Sequence, residues 1–360
     1  MKRLIIDAHL DLAMNALEWN RDLRMSVQEI REREMGMNDK PDRGNGMVSL
    51  PELRKGKIGL VVATQIARFV EKGSTLPGWN SPHQAWAQTQ AQLAWYKAME
   101  DAGEMKQITN KTELESHIAL WMNNAIDDNT KPIGFILSLE GADSLIHLSY
   151  LEKAYSYGLR AIGPAHYGPG RYSPGTTAQG PLTNLGVQLL QEMDKLNMIL
   201  DITHLTDEAF MQAMNLYKGA VWASHHNCRA LVPHQRQLTD EQIKILIERN
   251  AVIGGVLDAW MLAPNWMRGV STPQEKNITL ATLIHHYDHI CQLAGNSLHI
   301  AIGSDLDGMF GTEQSPHDMN TIADLQHLEL LLKQRGYSNE DIDNIFYNNW
   351  LRFLRERLIG

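Results

Sequence analysis

Cysteine is scarce in this chain, which has only Cys228 and Cys291 among 360 residues and no pair with CxxC spacing. This shortage excludes a disulfide framework and a thiolate metal site, and it is typical of proteins of a reducing compartment. An excess of basic residues is also missing, since the formal net charge is −9. Nucleic acids and anionic membranes attract basic surfaces, so we expect neither of them as the main partner.

Long apolar runs are absent as well. No stretch reaches about 18 apolar residues, the length that a membrane-spanning helix requires. The first residues, MKRLII, are followed at once by Asp7, which leaves no apolar region for a signal peptide. We therefore expect a cytoplasmic protein without a membrane partner.

Two motifs that would indicate other enzyme folds are missing. No glycine-rich GxGxxG sequence follows the first apolar run, although a doubly wound nucleotide-binding sheet would require one. Ser224 is not surrounded by a GxSxG elbow, so nothing indicates a nucleophilic serine. The doubly wound sheet is therefore the less favoured alternative for the fold.

The chain does contain eight short, mostly apolar runs, and helix-like segments separate most of them. Such runs are typical of parallel strands that are buried on both faces. Two of the intervening segments begin with LTDE, in which Thr206 and Thr239 are suitable helix N-caps. This alternation predicts an α/β fold, a TIM-type (β/α)8 barrel formed as one domain by residues 1–360. The predicted strands are 3–9, 59–65, 134–140, 158–166, 198–204, 220–226, 251–257 and 299–305.

Ionisable residues stand at the ends of six predicted strands. The first run, RLIIDAHLD, ends in His9 and Asp11, which are two positions apart and would share one face of a strand. In a barrel the carboxyl ends of all strands meet at one face, where the active sites of such enzymes lie. The residues at the other strand ends are Glu140, His166, His204, His225 and Asp305.

Five of these residues form a set of nitrogen and oxygen ligands that suits two divalent ions of the zinc class. Mn²⁺, Co²⁺ and Fe²⁺ would also fit such a set. Glu140, alone on the third strand, is the candidate to bridge the two ions. Two adjacent ions would share a water molecule and generate hydroxide near neutral pH. The predicted ligands are His9, Asp11, Glu140, His204 and His225.

Each residue by itself also has an ordinary structural interpretation. Glu140 could be an acid at a helix N-terminus, and Asp305 and Asp307 could belong to a turn. Their shared position at strand ends favours the metal centre instead. His285 and His289 are four residues apart on a predicted helix, a spacing that can bind zinc, but this helix lacks the HExxH glutamate and belongs to the outer ring. For these two histidines we favour a role in the helix surface or in packing.

Together these motifs resemble those of the membrane (renal) dipeptidase family, and of its bacterial members within the amidohydrolase superfamily. DAHLD is similar to the first metal motif of that family, SLEGAD to the strand with the bridging glutamate, and MILDITHLTDEAF to the fifth-strand motif. ASHHNCRALVPHQRQLTDEQI resembles the sixth-strand region, and HIAIGSDLDG resembles the closing strand. The similarity in order and spacing extends from residue 5 to about residue 355.

The resemblance implies a dipeptidase with two zinc ions per chain. Glu140 and a water or hydroxide would bridge the ions, one of which would be held with His9 and Asp11 and the other with His204 and His225. The bridging hydroxide would attack the peptide carbonyl, without a covalent intermediate.

The resemblance also implies roles for three further residues. His166 would contact the scissile group and the tetrahedral intermediate. Arg236 would bind the terminal carboxylate of the substrate, for which a guanidinium is well shaped; taken alone, it could equally be a solvated residue before the helix at Thr239. Asp305 would take the proton from the bridging water and deliver it to the leaving amine.

The loop after the fourth strand departs from the family pattern. Many relatives have Thr-His-Asn there, whereas this chain has AHYGPGRYSPG. We expect Tyr167, Arg171 and Tyr172 to overhang the pocket and to change which side chains fit, with Tyr167 binding substrate. Residues 12–58 are long and charged for a connection, and we expect them to form part of a lid or a subunit contact.

Three functions remain open at this point. The favoured one is hydrolysis of short peptides with a free C-terminal carboxylate, L-X-L-X or L-X-D-X. An amidohydrolase that acts on N-acyl amino acids could use Arg236 equally well, and it would not require a free α-amine on its substrate. A non-catalytic binding protein would be favoured by loss of Asp305 or of two ligands, but all of them are present. Barrel enzymes of this kind are often dimers, so a homodimer is compatible with the sequence.

Overall fold

Parallel strands form a nearly closed barrel in the computed structural model, which describes residues 2–358. The strands are β1 (Ile5–Leu10), β2 (Ile58–Ile66), β3 (Met105–Gln107), β4 (Ile133–Glu140), β5 (Leu159–Gly163), β6 (Ile199–Asp201), β7 (Val221–Trp222), β8 (Ile253–Gly255) and β9 (Ile300–Ile302). Their order in the sheet is β7-β6-β5-β4-β2-β1-β9-β8, and an isolated bridge between Ala223 and Ile253 joins the two ends. The short strand β3 pairs with β4 in addition. The predicted (β/α)8 barrel is confirmed.

Helices follow most of the strands and surround the barrel. The Thr206 and Thr239 side chains accept hydrogen bonds from the backbone N–H groups of Ala209 and Gln242, as expected of helix N-caps. The helices are α1 (Leu12–Glu18), α2 (Val27–Arg33), α3 (Leu50–Lys55), α4 (Pro82–Asp101), α5 (Lys111–Met122), α6 (Tyr150–Ser156), α7 (Asn184–Lys195), α8 (Asp207–Leu216), α9 (Asp240–Glu248), α10 (Ala259–Leu262), α11 (Leu280–Ala294), α12 (Leu328–Arg335), α13 (Asn339–Asp343) and α14 (Asn349–Arg357). Within residues 2–358, none of them combines the length and the apolar character needed to span a membrane.

The last helix fastens the chain to the barrel. The Trp350 indole N–H donates to the carbonyl of Ile302, and the Asn349 amide donates to the carbonyls of Ser297 and Ile300. These bonds reach two carbonyls of β9 and the carbonyl of Ser297 just before it. Trp350 also packs edge-on against Trp222 of β7, so α14 holds two strands of the barrel together.

Most of the strands are shorter than the sequence predicts, and this changes where the polar residues lie. Four residues that were predicted to lie at strand ends stand three positions beyond the last residue of the strand: His166, His204, His225 and Asp305, after strands that end at Gly163, Asp201, Trp222 and Ile302. His204 and Asp305 have positive φ values of 69° and 59°, which turn the chain out of the extended conformation. Apolar character alone does not reveal where such a turn begins.

The first strand also differs in detail. Strand β1 ends at Leu10, and Asp11 is the N-cap residue of α1. The register of β1 against β2 shifts between Asp7 and Leu10. His9 and Asp11 are therefore not two successive residues on the same face of a regular strand, although both side chains lie at the mouth of the barrel.

Candidate active site

The carboxylate of Glu140 lies at the centre of a cluster of imidazole groups. Its Oε2 atom is 3.6 Å from Nε2 of His9. Its Oε1 atom faces the opposite side, 3.2 Å from Nε2 of His204 and 3.6 Å from Nε2 of His225. One carboxylate thus divides the histidines into two groups, one at each oxygen.

Two further carboxylates complete the cluster. Oδ1 of Asp11 and Oδ1 of Asp305 lie 4.0 and 3.8 Å from Nε2 of His9. Asp305 also reaches His225, with 4.0 Å between its Oδ2 and the ring Nε2. The structure brings all five predicted ligands together with Asp305, from chain positions more than 290 residues apart.

Hydroxyl groups behind the rings orient three of the histidines. The Thr176 hydroxyl lies 2.9 Å from Nδ1 of His204, and the Ser224 hydroxyl lies 2.9 Å from Nδ1 of His225 and 3.4 Å from Nδ1 of His9. When the ring donates its Nδ1–H to such a hydroxyl, the lone pair of Nε2 is directed into the cluster. This is the arrangement in which histidine binds metal ions.

The position of Ser224 depends on two glycines of neighbouring strands. A Cβ atom on Gly254 or on Gly303 would lie 2.0 or 1.8 Å from the carbonyl oxygen of Ser224. Only glycine therefore allows the backbone at the end of β7 to approach this closely. This packing places Ser224 between the rings of His9 and His225.

The pKa values within the cluster indicate that it attracts positive charge. Burial lowers the pKa of His9, but the nearby carboxylates, Glu140 first, outweigh burial and raise the pKa to about 10. Burial acts to raise the pKa of Glu140, yet His9 and His166 hold that pKa well below its usual range. Burial lowers the pKa of His204 and of His225 well below the usual value, so both rings are neutral and can act as ligands.

These residues fit a divalent metal site. Nε2 of His9 is buried and has no hydrogen-bond partner among residues 2–358, an orphaned polar atom that a cation would satisfy. Three combinations bring their potential ligand atoms within 4.8 Å of one another. The donors are nitrogen and oxygen without sulfur, which suits zinc and its neighbours in the first transition series. The three combinations are His9, Asp11 and Glu140; Glu140, His204 and His225; and His9, His225 and Asp305.

A cavity of about 210 Å³ opens directly above the cluster. His166, Tyr167 and Arg236, which were predicted to contact the substrate, all line it. Arg236 is buried, donates to the carbonyl of His225 and lies against the ring of His226. Burial lowers the pKa of the Arg236 guanidinium. Burial also raises the pKa of Tyr167 to about 12, so the Tyr167 hydroxyl is neutral near pH 7.

Asp305 belongs to the cluster and also lines the cavity. Burial and the nearby carboxylates of Asp11 and Glu140 raise its pKa well above the usual value, although His9 acts in the opposite direction. Its left-handed backbone conformation is uncommon for a residue other than glycine and costs about 1–3 kcal/mol. Such strain persists only where the surrounding structure fixes the residue, which is typical of functional sites.

The expectation for the loop after the fourth barrel strand was wrong for two of its three residues. Arg171 donates to the carbonyls of Asp143, Leu145 and Ile146, and the buried Tyr172 donates its hydroxyl to Leu145. Both side chains therefore hold the loop onto the segment after β4, and neither lines the cavity. Only Tyr167 overhangs the site as predicted.

Sequence reasoning missed several residues of the cavity wall. Arg68 and Leu76 come from the loop after β2, and Asp258 and Trp260 come from the segment after β8. Burial raises the pKa of Asp258 to about 7, against the hydrogen bonds that it accepts from Gln314 and Trp260. These two segments follow the two predicted barrel strands that had no ionisable residue at their ends, so position after a strand was the available signal.

The histidines of α11 lie outside the site, as expected. His285 is exposed, and His289 pairs with Asp240 at 2.7 Å. The histidine between them, His286, is buried and accepts a hydrogen bond from the backbone N–H of Cys228 through Nδ1. It contributes to packing between α11 and the segment after β7.

The fold and this donor set define a barrel hydrolase with a candidate metal centre at the mouth of the barrel. The model of the family described as membrane dipeptidase (Peptidase family M19) matches residues 1–358. The chain belongs to this family of hydrolases, which confirms the predicted resemblance and the predicted enzyme class.

Individual curated proteins are similar to this chain over part of its length. An uncharacterized protein in the pqqA 5′ region of Klebsiella pneumoniae is 30% identical over 213 residues, which are 57% of this chain and 74% of that protein. Dipeptidase tcpJ of Claviceps purpurea is 27% identical over 231 residues, 62% of this chain. The match spans about half the length of several curated relatives, 51% of tcpJ among them.

Solved structures of metallopeptidases share the fold over nearly the whole chain. A metallopeptidase of family M19 described as dipeptidase AC has a TM-score of 0.81 at 22% identity, with full coverage of both chains. A metallopeptidase from Rhodobacter sphaeroides, solved with a phosphinate mimic of the dipeptide L-Ala-D-Ala, has a TM-score of 0.78 at 22% identity, and covers 99% of this chain and 100% of that one.

Proposed function

We propose that this chain is a zinc-dependent dipeptidase that hydrolyses short peptides with a free C-terminal carboxylate. The observation that carries the proposal is the division of the Glu140 carboxylate, with His9 at one oxygen and His204 and His225 at the other. This geometry is the one that a carboxylate bridging two ions requires.

One ion would be held by His9, Asp11 and Glu140. The second ion would be held by Glu140, His204 and His225. When bound, a pair of divalent ions lowers the pKa of water and polarises a carbonyl group. The hydroxyls of Thr176 and Ser224 would keep the ligating rings in the required tautomer.

Asp305 would carry the proton during the reaction. Its raised pKa allows the carboxylate to accept a proton from the attacking water and to release it to the leaving nitrogen. The side chain is 16% exposed, so it is accessible from the cavity while most of it remains shielded from solvent. Loss of this carboxylate would remove both transfers.

His166 would contact the reacting carbonyl group, and Arg236 would bind the terminal carboxylate of the substrate. The His166 ring would donate a hydrogen bond to the carbonyl oxygen as negative charge develops on it. The buried Arg236 guanidinium would pair with the substrate carboxylate, and Tyr167 would pack beside it. Burial strengthens such a charge pair because it lowers the local dielectric constant.

The cavity supports a small substrate. Its volume of about 210 Å³ lies below the range of about 300–1,000 Å³ that is typical of sites for drug-sized ligands. The Rhodobacter sphaeroides metallopeptidase of similar fold was solved with a phosphinate mimic of a dipeptide, L-Ala-D-Ala. We therefore propose dipeptides, L-X-D-X as well as L-X-L-X.

The test combines metal analysis with a substrate panel. Metal content per chain is measured by mass spectrometry for the wild type, Asp305→Asn and His225→Asn, and each protein is assayed with L-Ala-L-Ala, L-Ala-D-Ala and N-acetyl-D-Ala. We expect about two zinc ions in the wild type and less metal in His225→Asn. Asp305→Asn should keep its metal but lose at least a hundredfold in kcat.

The outcomes separate the alternatives. If the protein cleaved N-acetyl-D-Ala and neither dipeptide, the function would be that of an amidohydrolase for N-acyl amino acids and not that of a dipeptidase. Loss of metal from Asp305→Asn would make Asp305 a ligand rather than the proton carrier, as the combination with His9 and His225 allows. A wild type without metal and without turnover would contradict the proposed function.

A further inference from the structure

Arg68 makes a hydrogen bond that determines the chemistry of His166. Its Nη2 atom lies 2.5 Å from Nδ1 of the His166 ring. A guanidinium has hydrogen-bond donors but no acceptor, so it must donate in this contact. Nδ1 of His166 must therefore carry a lone pair, and the proton of the ring resides on Nε2.

The Arg68 side chain is fixed in place by its own loop. Its Nη1 atom donates to the carbonyl of Pro77 at 2.8 Å, and its backbone carbonyl accepts from the N–H of Trp79 at 2.8 Å. The next residue, Phe69, donates its N–H to the carboxylate of Asp143. These bonds anchor the guanidinium without using the Nη2 atom that faces His166.

The other nitrogen of the His166 ring is available to a substrate. Nε2 makes no hydrogen bond within residues 2–358, and the ring lines the cavity above the cluster. Tyr167 and His204 flank the ring, with centroid distances of 5.1 and 4.6 Å, and limit its rotation. An N–H at this nitrogen would be directed at the reacting group.

We infer that Arg68 is a positioning residue that holds His166 as the Nε2–H tautomer, the form able to donate a hydrogen bond to the oxyanion. The inference rests on the proposed function and deepens it. Without Arg68, the ring exchanges between its two neutral tautomers, and the fraction with a proton on Nε2 decreases.

The test reads the tautomer directly. Zinc-loaded protein is labelled with ¹⁵N-histidine, and the ring nitrogen signals of His166 are assigned by their loss in His166→Gln. We expect Nδ1 of the wild type at the shift of an unprotonated nitrogen and Nε2 at that of a protonated one. In Arg68→Met both signals should move toward averaged positions, whereas Arg68→Lys, which keeps a donor, should retain most of the wild-type pattern.

Arg268→Met is the matched control for the loss of charge. Arg268 also lines the cavity, but it donates to the carbonyl of Met309 and has no hydrogen bond to His166. Its replacement removes a positive charge from the cavity and should leave the His166 signals unchanged. A shift of these signals in Arg268→Met equal to that in Arg68→Met would overturn the inference, because cavity charge and not the hydrogen bond would then control the ring.

Kinetics provide the second readout. Arg68→Met should lower kcat for L-Ala-D-Ala by about 10–100-fold with little change in KM, as is usual when a residue behind a catalytic group is removed, and Arg68→Lys should recover part of the loss. An increase in KM at constant kcat would mean that Arg68 binds substrate directly, and would contradict the inference. If the wild type had no dipeptidase activity, the proposed function would fail, while the NMR signals would still decide the tautomer. If the Nδ1 signal of the wild type were that of a protonated nitrogen, the inference about Arg68 would be disproved.

Discussion

The guanidinium of Arg21 lies 3.7 Å from the carboxylate of Asp307, and both side chains are buried. Arg21 belongs to the long segment between β1 and β2, whereas Asp307 stands two residues after Asp305. The Asp307 carboxylate also accepts hydrogen bonds from the backbone N–H groups of Met47 and Val48. The segment 12–58 thus packs against the turn that carries Asp305, and part of its charge serves this internal contact.

Replacing Arg21 by methionine should destabilise the protein strongly. Arg21 pairs with Glu34 at 2.8 Å and with Asp42 at 3.0 Å, in addition to Asp307. Removal of this guanidinium takes away a charged partner from three buried carboxylates. Breaking a buried ion pair in this way costs about 3–5 kcal/mol in the free energy of unfolding. The measurement is the free energy of unfolding in urea.

Arg24→Met is the control for that substitution. Arg24 is in the same segment and pairs with Asp22, but this pair is exposed to solvent. Exposed ion pairs contribute little, so we expect no measurable change in the urea midpoint. If Arg21→Met were as stable as the wild type and Arg24→Met, the buried cluster around Arg21 would be unimportant for stability.

Ser224→Ala should weaken metal binding without removing a ligand. Its hydroxyl contacts Nδ1 of His225 and of His9, and the loss of such a partner lowers metal affinity by about 10–100-fold. Competition with a chelator of known affinity measures the change. Ser297→Ala serves as the control, because Ser297 is a buried serine that bonds Asp341 near the start of β9, away from the cluster. If both variants kept the wild-type affinity, the hydroxyl would have no role in orienting the rings.

The sequence predicted which residues the fold brings together better than it predicted their geometry. Residue type and order were sufficient to select His9, Glu140 and His225, because alternating strands and helices bring strand ends to one face. The sharp turns at His204 and Asp305 were not predictable, since neither position is a glycine that would signal a positive φ.

The residues that orient the site were also out of reach. Thr176 and Arg68 lie 28 and 98 positions from the histidines that they contact, and hydroxyl or guanidinium partners at such separations follow no local pattern. The positions of Arg171 and Tyr172 depended on the carbonyls of residues 143–146, which the sequence does not reveal as acceptors. Long-range contacts, and not propensities, decided these cases.

Removal of metal should lower the thermal stability of the protein. A ligand that binds only the folded state, present at 1,000 times its Kd, stabilises it by about 4 kcal/mol, which is about 5 °C in Tm for a chain of this length. We therefore expect chelator to lower the Tm of the wild type by at least about 5 °C. Chelator should lower the Tm of His204→Asn by less, because this variant lacks one of the residues expected to bind metal.

The double variant His285→Asn, His289→Asn is the control for this experiment. Both histidines lie on α11 outside the cluster, and only His289 has an ion-pair partner, Asp240. The chelator should lower the Tm of this variant as much as that of the wild type. A lost response in the double variant would place the stabilising metal on α11 and contradict the site at the mouth of the barrel.

Acid should destabilise the protein partly through His286. Burial lowers the pKa of this ring from 6.5 to about 4, although its contact with the Leu262 carbonyl acts in the opposite direction. Because the unfolded chain binds the proton more tightly, the stabilisation by neutral His286 is fully present above pH 6.5 and is lost as the pH falls toward 4, to a total of about 3 kcal/mol. His286→Asn, whose amide oxygen can still accept from Cys228, should be less stable than the wild type at pH 7 but lose about 2 kcal/mol less between pH 7 and pH 5.

Urea unfolding of both proteins at the two pH values measures this difference, with exposed His327→Asn expected to follow the wild type. Parallel losses in the wild type and in His286→Asn would show that His286 does not control the acid sensitivity.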